Sequence, residues 1–221
     1  MFLPKLEILP KAQRLLWEEM SITPAMFTLY GGTAIALRLG HRFSIDFDFF
    51  SQLAFVPHEL QREIPYLADS VLRQSAPNTL TVTVERGAPV QLSYFGKLRI
   101  GQVAAPESVK GPGFAVASLI DLAGMKVSAV TQRAELKDYL DIHALLTLAK
   151  IPLSAMLAAA SVIYGNMFNP LISLKAITYH DDSALEHLPK SIRTDLISAA
   201  RGVDLAKLPT LDAVRLREAM P

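Results

Sequence analysis

From Ser44 to Phe50 the chain reads Ser-Ile-Asp-Phe-Asp-Phe-Phe. Apolar and acidic residues alternate there with a period of two, the repeat of a β-strand. The spacing predicts a strand over 44–50, with Ile45, Phe47 and Phe49 on the core side and Asp46 and Asp48 together on the other. Two carboxylates on one strand face stand close enough to repel each other, and both resist burial. A hard divalent cation relieves both problems. Mg²⁺ in particular favours one or two carboxylates plus phosphate oxygens over an all-protein cage. The plain alternative is a strand with a buried apolar face and two solvated aspartates, and the D-x-D alone favours that alternative.

The residues upstream shift the balance. Gly31-Gly32-Thr33 lies between a strand-like run, Met26–Tyr30, and a helix-like run, Thr33–Leu39. Glycine permits tight curvature and close approach of a ligand, while the amides of a helix start attract anions such as phosphate. The Thr33 hydroxyl either adds a phosphate donor or caps the helix. His41-Arg42 supplies cationic donors suited to a triphosphate, although Arg42 is equally able to pair with Asp46 or Asp48.

The rest of the chain divides coarsely in two. A helix is expected over 11–20 and another over 60–73, followed by a hairpin of strands 79–85 and 90–95. A stretch rich in glycine and proline, 96–113, surrounds one more short strand. Beyond it the pattern turns helical, with candidates at 115–130, 137–148, 153–164, 171–179 and 190–200. The fold class this implies is α+β, with an α/β front half at 1–113 and a helical region at 114–221.

Composition narrows the chemistry. Lys+Arg number 22 against 21 Asp+Glu, a net charge of +1, so bulk electrostatics gives no argument for nucleic acid. Absence of cysteine removes thiolate metal sites, disulfides and cysteine nucleophiles, and fits a reducing cytoplasm. The histidines, His41, His58, His143, His180 and His187, lack ligand spacing, and Ser44 and Ser93 lack a nucleophile elbow. No stretch has the length of uncharged residues a bilayer span requires, so no membrane partner is expected.

Gly-Gly-Thr-Ala, a short helix and then His-Arg-Phe-Ser-Ile-Asp-Phe-Asp-Phe-Phe together resemble the signature of the AbiEii/AbiGii toxin family of nucleotidyltransferases. That family belongs to the DNA polymerase β-like superfamily. Lys126 with Arg133, the run Lys137–Ile142, and Leu174–Asp182 resemble its later motifs, with His180 where an aromatic residue is more usual. The resemblance implies a polymerase β-like core, a small mixed sheet flanked by helices, with a carboxy-terminal helical region. It implies that Asp46 and Asp48 hold Mg²⁺ or Mn²⁺, and that Gly31, Gly32 and Thr33 seat the triphosphate of an NTP. Lys126 and Asp138 become active-site groups, with Arg42, Arg133 and Asp141 assisting at the nucleotide. The implied activity is transfer of a nucleoside monophosphate to an RNA hydroxyl, such as a tRNA 3′ end, by a toxin with a separately encoded antitoxin. Rival readings are the same chemistry on a small-molecule or protein hydroxyl, and a module that binds NTP without turnover.

The second motif group also has a reading of its own. In an unbroken helix Lys126, Arg133 and Lys137 share one face with Asp141 nearby; a loop around 131–135 leaves their convergence to tertiary packing. Lys137 and Asp141 alternatively form an ordinary (i, i+4) pair. One departure from the superfamily stands out. Its third carboxylate belongs on a neighbouring strand, here 90–95, where the polar residues are Gln91 and Ser93. Either Glu85 substitutes, or a carboxylate such as Asp138 does, or catalysis is impaired; Asp138 is the preferred substitute.

Overall fold

The computed structural model describes residues 1–214; the last residues of the expected helical region, 215–221, lie outside it. The described chain forms two compact units. One is Met1–Arg99 with Pro106–Ala117, and the other is Ile100–Ala105 with the chain from Ser118 onward. A single division after Gly113 differs from these units in where it assigns 100–105 and 114–117.

The first unit contains helices α1 (Lys11–Glu19), α2 (Gly31–Leu39) and α3 (Pro57–Glu63). Its strands are β1 (Thr28–Tyr30), β2 (Asp46–Phe50), β3 (Val71–Ala76), β4 (Thr79–Glu85), β5 (Pro89–Phe95), β6 (Glu107–Ser108) and β7 (Ala115–Val116). They make one seven-stranded sheet in the order β3-β4-β5-β2-β1-β7-β6. The sheet is mixed: β2 runs parallel to β5 and antiparallel to β1, which is parallel to β7. Leu29, Phe47, Phe49, Val82, Leu92 and Tyr94 are fully buried and alternate along their strands, so they mark the core face. Helix α1 covers part of it. Its buried residues Ala12, Gln13, Leu16 and Trp17 recur at helical spacing, and the Trp17 ring meets Phe47 at 6.3 Å and Phe114 at 5.5 Å. Burial pushes the Tyr94 phenol well above its usual range; it stays protonated and bonds the Tyr66 hydroxyl at 2.8 Å.

Three local expectations give way. The helix expected over 60–73 ends at Glu63, because Ile64 precedes Pro65 and a residue before proline is pushed out of the helical region. Strand β3 follows as a sheet edge. All six of its residues are exposed, so it carries no apolar alternation that would mark it. Residues 115–116 pair with β1 and β6 before the helix begins at Leu119. Ile45, expected in the core, is 56% exposed, because the β2 ladder starts at Asp46.

The second unit is built on helices α4 (Leu119–Ala129), α5 (Leu136–Thr147), α6 (Leu153–Tyr164), α7 (Pro170–Thr178) and α8 (Lys190–Arg201). Helices α4 and α6 touch almost backbone to backbone. A Cβ on Gly124 would lie 2.8 Å from the Ala160 nitrogen and 2.9 Å from the Ala159 carbonyl carbon, so α4 needs glycine there and α6 needs its alanines. Ser118 caps α4, its Oγ accepting from the Asp121 amide at 3.1 Å. The buried Asp121 carboxylate then accepts from the amides of Val103 at 2.7 Å and Ala104 at 2.9 Å, tying 100–105 to the helix start. Asp121→Ala leaves both amides without that acceptor. It is expected to lower stability by about 2–3 kcal/mol, read as a reduced urea midpoint with an unchanged slope.

Candidate functional site

Asp46 and Asp48 sit on the central strand β2, half-buried, on the face opposite Phe47 and Phe49. Parallel pairing sets Gln91 of β5 beside Asp46 and Ser93 beside Asp48. Glu85 shares this face by alternation. However, it pairs with Pro89, two strands away and two residues beyond Gln91, on the order of 12 Å from Asp46 by strand spacing. It cannot complete the pair. Among the described residues no cluster of three or more His, Cys, Asp or Glu suited to a metal occurs.

The glycine turn lies directly against Asp48. Gly31 opens α2 with φ of 74°, a left-handed conformation that L side chains rarely adopt. A Cβ there would stand 2.6 Å from Asp48 Oδ2. Conformation and space both require glycine, and together they let the first turn of α2 approach the carboxylate. Gly32 follows within that turn. Thr33 points inward instead: it is 2% exposed, its hydroxyl donates to the Asp46 carbonyl oxygen, and Ser44 Oγ lies 2.7 Å away. It therefore locks α2 to the start of β2, a pairing to Ser44 that the motif did not reveal. Arg42 is half-buried, with one Nη donating to the Phe43 carbonyl at 2.9 Å.

These features suit a divalent ion by donor chemistry. The pair offers hard oxygens only, short of a full cage, as expected where phosphate oxygens supply the remaining ligands.

The second unit gathers the other predicted residues. Helix α4 ends at Ala129 and α5 begins at Leu136, so a loop intervenes and the group converges by packing. Lys126 Nζ donates to Asp138 Oδ1 at 2.7 Å and lies 2.9 Å from Asp141 Oδ2. Arg133 Nε holds the other oxygen, Asp138 Oδ2, at 2.9 Å. Both aspartates are fully buried and Lys126 is 7% exposed. Glu135 extends the network at its exposed side, 3.4 Å from Arg133 and 3.0 Å from Lys137, so Lys137 pairs with Glu135 rather than with Asp141. In the last motif His180 packs edge-on against Tyr139 at 5.8 Å. Burial holds its imidazole below its usual pKa. Asp182 accepts from the Ala184 amide at 2.8 Å, capping a turn.

Residues 14–220 match the family described as nucleotidyl transferase AbiEii toxin, type IV toxin–antitoxin system. The chain belongs to this family. It is 30% identical over 162 residues to an uncharacterised protein of Aquifex aeolicus, spanning 72% of the chain and 76% of that relative. Its fold is shared with MenT4, a nucleotidyltransferase toxin of Mycobacterium tuberculosis H37Rv, at a TM-score of 0.55 and 12% identity over 88% of this chain and 84% of that one. A nucleotidyltransferase candidate from H. pylori aligns at a TM-score of 0.53 with 18% identity, over 86% and 91% of the two chains. This AbiEii relative thus has the mixed α/β nucleotidyltransferase fold, and its family is that of nucleotidyltransferase toxins of type IV systems. Among its described residues no helix is long and apolar enough to cross a membrane.

Proposed function

We propose that the chain transfers a nucleoside monophosphate from an NTP to an RNA hydroxyl, that of a tRNA 3′ end, in the cytoplasm of a bacterial cell with a cognate antitoxin. The transfer forms a bond from the acceptor oxygen to the α-phosphorus and breaks the bond to the departing pyrophosphate. One observation carries the reading: Asp46 and Asp48 share a strand face, with Asp48 against a helix start where Gly31 leaves no room for a Cβ.

Asp46 and Asp48 would hold Mg²⁺ or Mn²⁺, which when bound neutralises phosphate charge and acts as a Lewis acid on the transferring group. The first amides of α2, at Gly31 and Gly32, donate to the phosphate oxygens. Thr33 serves by position, its hydroxyl fixing the main chain at Asp46 relative to that turn. Arg42 adds a cationic donor for the phosphates. Lys126, which pairs with Asp138 and Asp141, supplies a cation for the phosphate charge. Asp138, with both oxygens engaged by Lys126 and Arg133, acts as a positioning residue for them rather than as the third carboxylate. Alignment and charge neutralisation account for most of the acceleration in this chemistry.

Gln91 and Ser93 beside the aspartates favour a second reading, an NTP-binding module with slow or no turnover. Incubating the protein with each α-labelled NTP, Mg²⁺ and total RNA separates the two. Label in RNA is the expected result. NTP binding with no label in RNA, protein or small acceptors would favour the second reading.

A further inference from the structure

Alternation along the strands places three aromatic rings on the face that carries Asp46 and Asp48. Tyr30 of β1 stands opposite Asp48, Phe50 follows Asp48 by two residues on β2, and Phe95 of β5 is the partner of Phe50. The Tyr30 and Phe50 rings stack with centroids 4.8 Å apart and planes 19° apart. Phe95 meets Phe50 edge-on at 5.4 Å. The rings on the opposite face, Phe49 and Tyr94, are fully buried, whereas Tyr30, Phe50 and Phe95 are each half-buried. This cluster is therefore separate from the hydrophobic core. The remainder of the face is polar, with Gln91, Ser93, Thr81 and Thr83 around the two aspartates.

Partly exposed rings at one end of a polar, carboxylate-bearing face suit a ligand with a charged end and a flat apolar end. The order along β2 is Asp46, Asp48, Phe50. One step of two residues covers about 6.6 Å, enough for a sugar to span between a phosphate at Asp48 and a base at Phe50. We propose that Tyr30, Phe50 and Phe95 form the platform on which the nucleobase of the NTP stacks. The proposal rests on the nucleotide site assigned above to Asp46, Asp48 and the α2 start. Stacking reads the π-face that every base has, so this platform contributes affinity with little choice among the four nucleotides.

The test compares two ligands on the full chain in Mg²⁺ by titration calorimetry: each NTP, and inorganic tripolyphosphate, which has no base. Phe50→Ala is expected to weaken NTP binding roughly tenfold or more while tripolyphosphate binds as to the wild type. Phe50→Trp, which restores a ring, is expected to keep NTP affinity within about twofold. Phe95→Leu gives a smaller loss of the same selectivity. Wild-type NTP affinity in both Phe50→Ala and Phe95→Leu, or equal weakening of both ligands, overturns the platform. Failure of the wild type to bind either ligand instead removes the nucleotide site itself, and the platform with it.

Discussion

Asp48→Asn is expected to lower nucleotidyl transfer on the order of 10³-fold or more while the protein folds normally. The amide keeps the shape of the carboxylate and removes its charge, so packing against Gly31 is preserved and metal affinity is not. A metal ion at a transferring phosphate contributes several kcal/mol, and each 1.36 kcal/mol is a factor of ten. A far-ultraviolet circular-dichroism spectrum like that of the wild type is the expected companion result. Asp46→Asn should match it, and the double variant should be little worse than either single one, since the pair acts as a unit. Label transfer at the wild-type rate by either single variant would sink the metal assignment.

Lys126→Met is expected to destabilise the protein by about 3–5 kcal/mol, the effect of leaving buried charge uncompensated. Asp138 and Asp141 are both fully buried, and Lys126 pairs with both. Arg133 still holds Asp138 in the variant, but its side chain is 48% exposed and stands in a more screened setting. A charge-matched rescue distinguishes electrostatics from lost packing. Adding Asp138→Asn and Asp141→Asn to Lys126→Met should recover most of the loss, because a neutral set of similar volume carries no uncompensated charge. Urea denaturation reads both effects as midpoints. If Lys126→Met costs less than about 1 kcal/mol, the two aspartates are not ionised partners of the lysine.

Much of the candidate site's geometry was legible in the sequence because its main feature is local. The alternation at 44–50 gives the strand, and the strand gives the shared face of Asp46 and Asp48 without any long-range information. The same period places Phe50 on that face, so the start of the aromatic cluster was present in the motif; Tyr30 and Phe95 needed the pairing of β1 and β5. Thr33 shows the opposite case. Its sequence neighbours suit a phosphate donor, yet its hydroxyl is turned to Ser44 and the Asp46 carbonyl, a choice made by tertiary packing. Lys126 and Asp138 converge across a loop rather than along one helix, so angular spacing could not fix their contact or separate Lys137 from them. Strand β3 was hidden for a different reason. A strand exposed at every residue has no buried face, and burial is what writes the period of two into a sequence.

The chain passes from one compact unit to the other after Arg99, returns after Ala105, and crosses again after Ala117. Neither unit is a continuous stretch of the gene. A single recombination point between two diverged relatives would therefore join a mismatched 100–105 segment to Asp121, or a mismatched β7 to β1. Swapping one unit cleanly takes three coordinated junctions, so a chimaera of two relatives is expected to fold well only when all three are exchanged together.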